Sequence, residues 1–118
     1  MTHVLLVDDD TSIVSSLRTF LNQEGFQVTS ANNQKETIDL LDSGQYHFDL
    51  ALLDVSLPDG SGFSLCSAIK ANSDIPVIFL TASDDEYSVV AGLDLGADDY
   101  IPKPFRPREL ILSLIHIS

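Results

Sequence analysis

Two hydrophobic periods alternate along the chain. Val4-Leu5-Leu6-Val7 is an unbroken apolar run that stops at acids. Ile13, Val14, Leu17, Phe20 and Leu21 then recur at helical spacing, and Gly25 is a suitable stop. Phe26-Gln27-Val28-Thr29 alternates like a strand. Asn33, with Glu36 three residues on, resembles a capping box ahead of Ile38 and Leu41. Leu50-Ala51-Leu52-Leu53 is the next apolar run, and it ends at Asp54. Phe63, Cys66 and Ile69 mark a third helical stripe, and Val77-Ile78-Phe79-Leu80 a fourth strand that stops at Thr81. Tyr87, Val90 and Leu93 give a fourth helix closed by Gly96, and Tyr100-Ile101 a short fifth strand. Pro107 suits the first turn of a last helix carrying Leu110, Ile111 and Leu114.

The order is strand then helix, five times over. Strands that are apolar without a break are buried on both faces, so the pattern predicts a five-stranded parallel sheet with helices on each side. Right-handed crossovers make this a doubly wound α/β domain. Ligands of such sheets bind beyond the carboxyl ends of the strands, where the strand order reverses.

The residues expected at that edge are polar. The first strand runs into Asp8-Asp9-Asp10, the third into Asp54 and the fourth into Thr81, while Lys103 follows the fifth. Carboxylates gathered in one pocket repel one another, and a divalent cation removes that repulsion. Mg2+ suits such a set, because it takes oxygen ligands and keeps several waters. A carboxylate beside Mg2+ is a known nucleophile that forms an aspartyl phosphate. Lys103 and the Thr81 hydroxyl could then neutralise phosphoryl oxygens. Each residue also has a plainer reading. Asp54 ahead of Pro58-Asp59-Gly60 could be turn chemistry, Asp10 reads better as a helix cap than as a ligand, and Lys103 and Thr81 singly would be a solvated lysine and a strand-end hydroxyl. The conjunction carries the argument.

Charge narrows the partners. The formal net charge is -12 and the isoelectric point about 4.2, which argues against nucleic-acid binding by this domain itself. The single cysteine, Cys66, excludes an internal disulfide and reads as core. His3, His47 and His116 show no metal-ligand spacing. No apolar run approaches a membrane span, and the early acids do not fit a signal peptide, so a cytoplasmic protein without membrane contact is expected.

Four blocks resemble the receiver domain of two-component response regulators. They are Leu6-Val7-Asp8-Asp9-Asp10, Leu53-Asp54-Val55-Ser56-Leu57-Pro58-Asp59-Gly60-Ser61-Gly62, Thr81-Ala82-Ser83 and Gly96-Ala97-Asp98-Asp99-Tyr100-Ile101-Pro102-Lys103-Pro104-Phe105. They come in family order over nearly the whole chain, and the second and fourth are most similar to the OmpR/PhoB subfamily. The resemblance implies a flavodoxin-like (βα)5 fold of strand order 2-1-3-4-5 over residues 1–118. It implies a phosphorylation-dependent switch that is not an enzyme beyond its own phosphoryl transfer and dephosphorylation.

Asp54 is then the phosphoacceptor, taking its phosphoryl group from a sensor histidine kinase. Asp9 is the direct Mg2+ ligand, Asp8 acts partly through water, and Ser56 gives only its backbone carbonyl. Thr81 and Tyr100 form the switch pair, Lys103 binds the phosphoryl group, and the Lys103-Pro104 bond is expected to be cis. Subfamily members usually carry a winged-helix DNA-binding domain downstream, which this chain does not include, so transcription regulation is the expected output. Activated receivers of the subfamily pair through the fourth helix, fifth strand and fifth helix. Here the acids Asp98, Asp99 and Glu109 are present, but usual basic positions fall on Val89, Ala91 and Ser113, leaving Arg106 and Arg108. A weakened homodimer is therefore expected. The run Leu110 to Ile117 is too apolar for one helical face to bury, leaving a chain end or a docking surface as open readings.

Three rivals fit less well. A phosphatase with an Asp nucleophile would want a second Asp where Ser56 stands. A flavin binder would want a glycine- and hydroxyl-rich phosphate loop where Asp8 to Asp10 stand. A receiver-like module that had lost phosphorylation would not need Asp8, Asp9, Asp54, Thr81 and Lys103 together.

Overall fold

The apolar runs form the strands they predict. In a computed structural model, which describes residues 2–81, 96–103 and 106–117, β1 (His3–Val7), β2 (Gln27–Ala31), β3 (Leu50–Asp54), β6 (Val77–Thr81) and β7 (Asp99–Pro102) make one parallel sheet. Its order is β2-β1-β3-β6-β7. Two-residue strands β4 (Ser56–Leu57) and β5 (Gly60–Ser61) form a separate hairpin directly after β3. Counting only the long strands, this is the expected order 2-1-3-4-5.

Side-chain alternation divides the core between the two faces. Leu5, Val7, Ala51, Leu53, Val77 and Phe79 point one way and pack with Leu65, Cys66 and Ile69 of α3 (Gly62–Asn72). Val4, Leu6, Leu50, Leu52, Ile78 and Leu80 point the other way. They meet Val14, Leu17 and Leu21 of α1 (Thr11–Gln23), together with Leu110 and Leu114 of the C-terminal helix (Pro107–Ile117). Because the sheet is covered on both sides, truncating a fully buried strand residue such as Leu52 to alanine should cost about 2–5 kcal/mol.

The helix ends follow their residues. Asp10 is the N-cap of α1 and accepts from the N–H groups of Ser12 and Ile13, so it does cap as expected. Gly25, two residues past that helix, has φ +92, a conformation glycine adopts without strain. Asn33 caps α2 (Gln34–Asp42) by accepting from Glu36 N–H, while Glu36 reaches back to the N–H of Asn32. That is the expected capping box shifted by one residue on its return arm.

One expectation is corrected: Ile38 is not on the buried stripe of α2. Thr37 is fully buried there, its hydroxyl donating to the Asn33 carbonyl, and Leu40 and Leu41 pack on the core. The face that Thr37, Leu40 and Leu41 share turns Ile38 outward. The fourth helix expected around Tyr87, Val90 and Leu93, and the Lys103-Pro104 bond, lie outside the described residues. Among the described residues no helix is long and apolar enough to cross a membrane.

Candidate functional site

The strand order reverses between β1 and β3, and the acids gather there. Val7 pairs with Leu53, so the next residue of each chain segment, Asp8 and Asp54, leave the sheet side by side. One carboxylate oxygen from each of Asp8, Asp9 and Asp54 can be chosen so that all three lie within 4.8 Å of one another. Asp8 is fully buried and Asp54 is 7% exposed, whereas Asp9 is open to solvent.

Lysine 103 arrives from the other side. Its backbone N–H donates to the Thr81 carbonyl at 2.6 Å. This ties the residue after β7 to the last residue of β6 and fixes where the side chain starts. The ammonium lies 2.7 Å from Asp8 Oδ2 and 3.5 Å from Asp54 Oδ2. Asp8 Oδ1 also accepts from Asp10 N–H, and Asp54 Oδ1 from Ser56 N–H.

The electrostatics are unbalanced. Three carboxylates face one lysine, and with every group ionised their sum is 1 − 3 = −2. Burial, and then the charge of Asp8, push the Asp54 carboxyl up to about 6; the Lys103 charge and the Ser56 N–H only partly offset them. Burial alone would lower the Lys103 ammonium. The hydrogen bond and charge of Asp8, and those of Asp54, outweigh it and hold the ammonium above its ordinary range. A hard divalent cation fits this donor set, since it supplies the missing charge to oxygen ligands. Asp8, Asp9 and Asp54 are the side chains that could hold it.

Asp8, Asp9, Asp54 and Lys103 come together as expected, with Lys103 closer to Asp8 than to Asp54. Thr81 is buried at the end of β6, beside the Asp54–Leu80 pair, and Ser56 starts the hairpin after Asp54. Tyr100 pairs with Phe79, while Thr81 pairs with Pro102. It therefore stands two positions behind Thr81, half-buried against the core. Gly62 presses on the end of β3: a Cβ there would collide with the Asp54 carbonyl, and its N–H donates to the Val55 carbonyl.

The contact that sequence reasoning missed is Asp59. The sequence marks it only as part of a turn, yet its carboxylate reaches the start of α2.

A response regulator receiver domain model matches residues 4–115. The chain belongs to that family. The receiver domain is 45% identical over 113 residues to response regulator SaeR of Staphylococcus epidermidis, covering 95% of this chain and 48% of that protein. It is 42% identical over 115 residues to SaeR of Staphylococcus aureus, covering 97% and 49%. The chain thus spans about half the length of the curated relatives it matches. A two-component response regulator from Clostridium difficile superposes with a TM-score of 0.93 at 30% identity, over 99% of this chain and 95% of that one. DrrB of Thermotoga maritima, described as an OmpR/PhoB homolog, gives 0.86 at 35% identity, over 97% of the receiver and 51% of DrrB. These relatives agree with the subfamily that the sequence motifs resemble.

Proposed function

We propose that this receiver accepts a phosphoryl group from a sensor histidine kinase onto Asp54 and relays it as a change of conformation. The observation that carries this reading is the excess of carboxylate over lysine at the strand-order reversal, centred on a buried Asp54. In the transfer, an Asp54 carboxylate oxygen forms the bond to phosphorus as the phosphorus–nitrogen bond of the donor phosphohistidine breaks. The imidazole leaves with the electron pair. With a pKa of about 6, Asp54 is mostly ionised at neutral pH and able to attack.

Mg2+, held by Asp8, Asp9, Asp54 and the Ser56 backbone carbonyl, would supply positive charge to the acceptor and phosphoryl oxygens. Lys103 neutralises a further phosphoryl oxygen, and the Thr81 hydroxyl donates to another. Tyr100, behind Thr81, turns inward when Thr81 moves, and the pair forms the switch. Beyond its own phosphorylation and dephosphorylation the domain has no enzymatic role in this reading.

The output is transcription control in the cytoplasm through a DNA-binding domain, not through this acidic module. The paired active form is weak, because Asp98 is already paired with Lys70 and the remaining acids Asp99 and Glu109 have Arg106 and Arg108 as the nearby cations in the sequence. The test is acetyl phosphate with intact-mass detection, in Mg2+ and in EDTA. The reading expects a single metal-dependent adduct that is absent from Asp54→Asn; an undiminished adduct on that variant refutes it.

A further inference from the structure

The hairpin after Asp54 is an unfavourable one. Its loop is two residues, Pro58 and Asp59. Two-residue hairpins favour mirror-image turns with positive φ, because those match the strand twist. Proline cannot take positive φ, and among the described residues no non-glycine does so. Gly60 is not among the positive-φ glycines either. With only two paired residues on each side, such a ribbon has little of its own to hold it.

Something outside the hairpin holds it. Asp59 Oδ1 accepts from Gln34 N–H at 2.8 Å and Asp59 Oδ2 from Lys35 N–H at 3.0 Å. Gln34 returns the contact, its Oε1 accepting from Ser61 N–H at 3.2 Å. Gly60 leaves room for that side chain, which a Cβ would strike. The start of α2 is fully accounted for by this arrangement. Asn33 serves the Glu36 and Thr37 N–H groups, through its side chain and its carbonyl, and Asp59 serves the Gln34 and Lys35 N–H groups. The bonds to Asp59 draw its carboxyl below the ordinary range, the Gln34 N–H foremost. A carboxylate is also favoured at a helix N-terminus.

We propose that Asp59 and Gln34 are positioning residues for the phosphorylation site: together they clamp the hairpin to the start of α2 and so fix where the Ser56 carbonyl stands beside Asp54. The clamp rests on the Mg2+ reading given above. It acts through Ser56, the first residue of β4, which is joined to Asp54 by one residue and by the Ser56 N–H bond to Asp54 Oδ1. Outer contacts that orient metal ligands typically matter at the level of 10–100-fold in affinity.

The test compares wild type with Asp59→Ala, Gln34→Ala, the double variant and Asp59→Asn. Mg2+ binding is measured by calorimetry, amide exchange at Ser61 and Gly62 by NMR, and melting in EDTA. The clamp predicts roughly tenfold weaker Mg2+ binding in the double variant, with faster exchange at Ser61 and Gly62. Asp59→Asn, which keeps one acceptor oxygen, should fall between alanine and wild type. A lowered melting point with Mg2+ affinity unchanged would show that Asp59 merely caps α2, and would overturn the proposal. So would unaltered exchange at Ser61 and Gly62. A flat Mg2+ titration of the wild type would sink the metal reading and the positioning role with it. It is told apart from failure of the clamp alone, in which wild type and variants bind equally.

Discussion

Lysine meets aspartate at both ends of the sheet, with different results. At the amino end of β6, Lys70 lies 3.1 Å from Asp98, whose same oxygen also accepts from Val77 N–H. One cation faces one carboxylate, and that carboxylate fastens the start of β6 to the residue before β7. At the carboxyl end, Lys103 faces Asp8 and Asp54, with Asp9 beside them. The first cluster is complete as it stands. The second is short of positive charge, and burial together with the charge of Asp8 holds the Asp54 carboxyl up at about 6. An ion pair that balances itself is structure; a buried cluster that does not balance is poised for a ligand.

Mutation should separate the two ends. The largest effect is expected for Asp9→Ala, which removes the exposed carboxylate of the acid cluster. Mg2+ affinity should fall by about 100-fold or more, judged against the 10–100-fold typical of outer contacts. Melting in EDTA should hold or rise, since repulsion is relieved. A large drop in metal-free melting would show that Asp9 is structural.

Asp54→Asn comes next, and its effect depends on pH. The folded Asp54 carboxyl, at about 6 against an ordinary 3.8, holds its proton more tightly than the unfolded one. The contribution of Asp54 to stability in EDTA should therefore be fully present below about pH 4 and be lost as pH rises through 6. Asparagine does not ionise, so the variant should gain roughly 1–3 kcal/mol over wild type at pH 7.5. The gain should shrink toward pH 4. An equal gain at both pH values would place the cause elsewhere than in Asp54 ionisation. The smallest effect is expected at the balanced end. Asp98→Ala strands the Val77 N–H and should lower stability by about 1–2 kcal/mol, with Mg2+ affinity unchanged. A Mg2+ defect there would undo the contrast between the ends.

Much of this contrast could be read before the fold was seen, for physical reasons. Buried parallel strands must be apolar on both faces, so β1, β3 and β6 stand out as unbroken runs, and the acids that end them mark the sheet edge. What stayed hidden depends on contacts rather than on periods. Strands β4 and β5 are too short to show alternation. Asp59 reaches α2 across 24 and 25 residues, and nothing local distinguishes it from an ordinary turn residue. The choice of Thr37 over Ile38 for the buried face follows from how α2 lies on its neighbours. That Lys103 sits closer to Asp8 than to Asp54 is likewise a matter of contacts and not of sequence period.

Whether Asp54 carries the phosphoryl group can be read directly by chemical trapping. Borohydride reduces an acyl phosphate to an alcohol, which fixes the modified residue for peptide mapping. After treatment with acetyl phosphate and Mg2+, reduction should convert Asp54 alone, and nothing should be converted in EDTA. Conversion at Asp8, Asp9 or any other acid, with Asp54 untouched, would contradict the account.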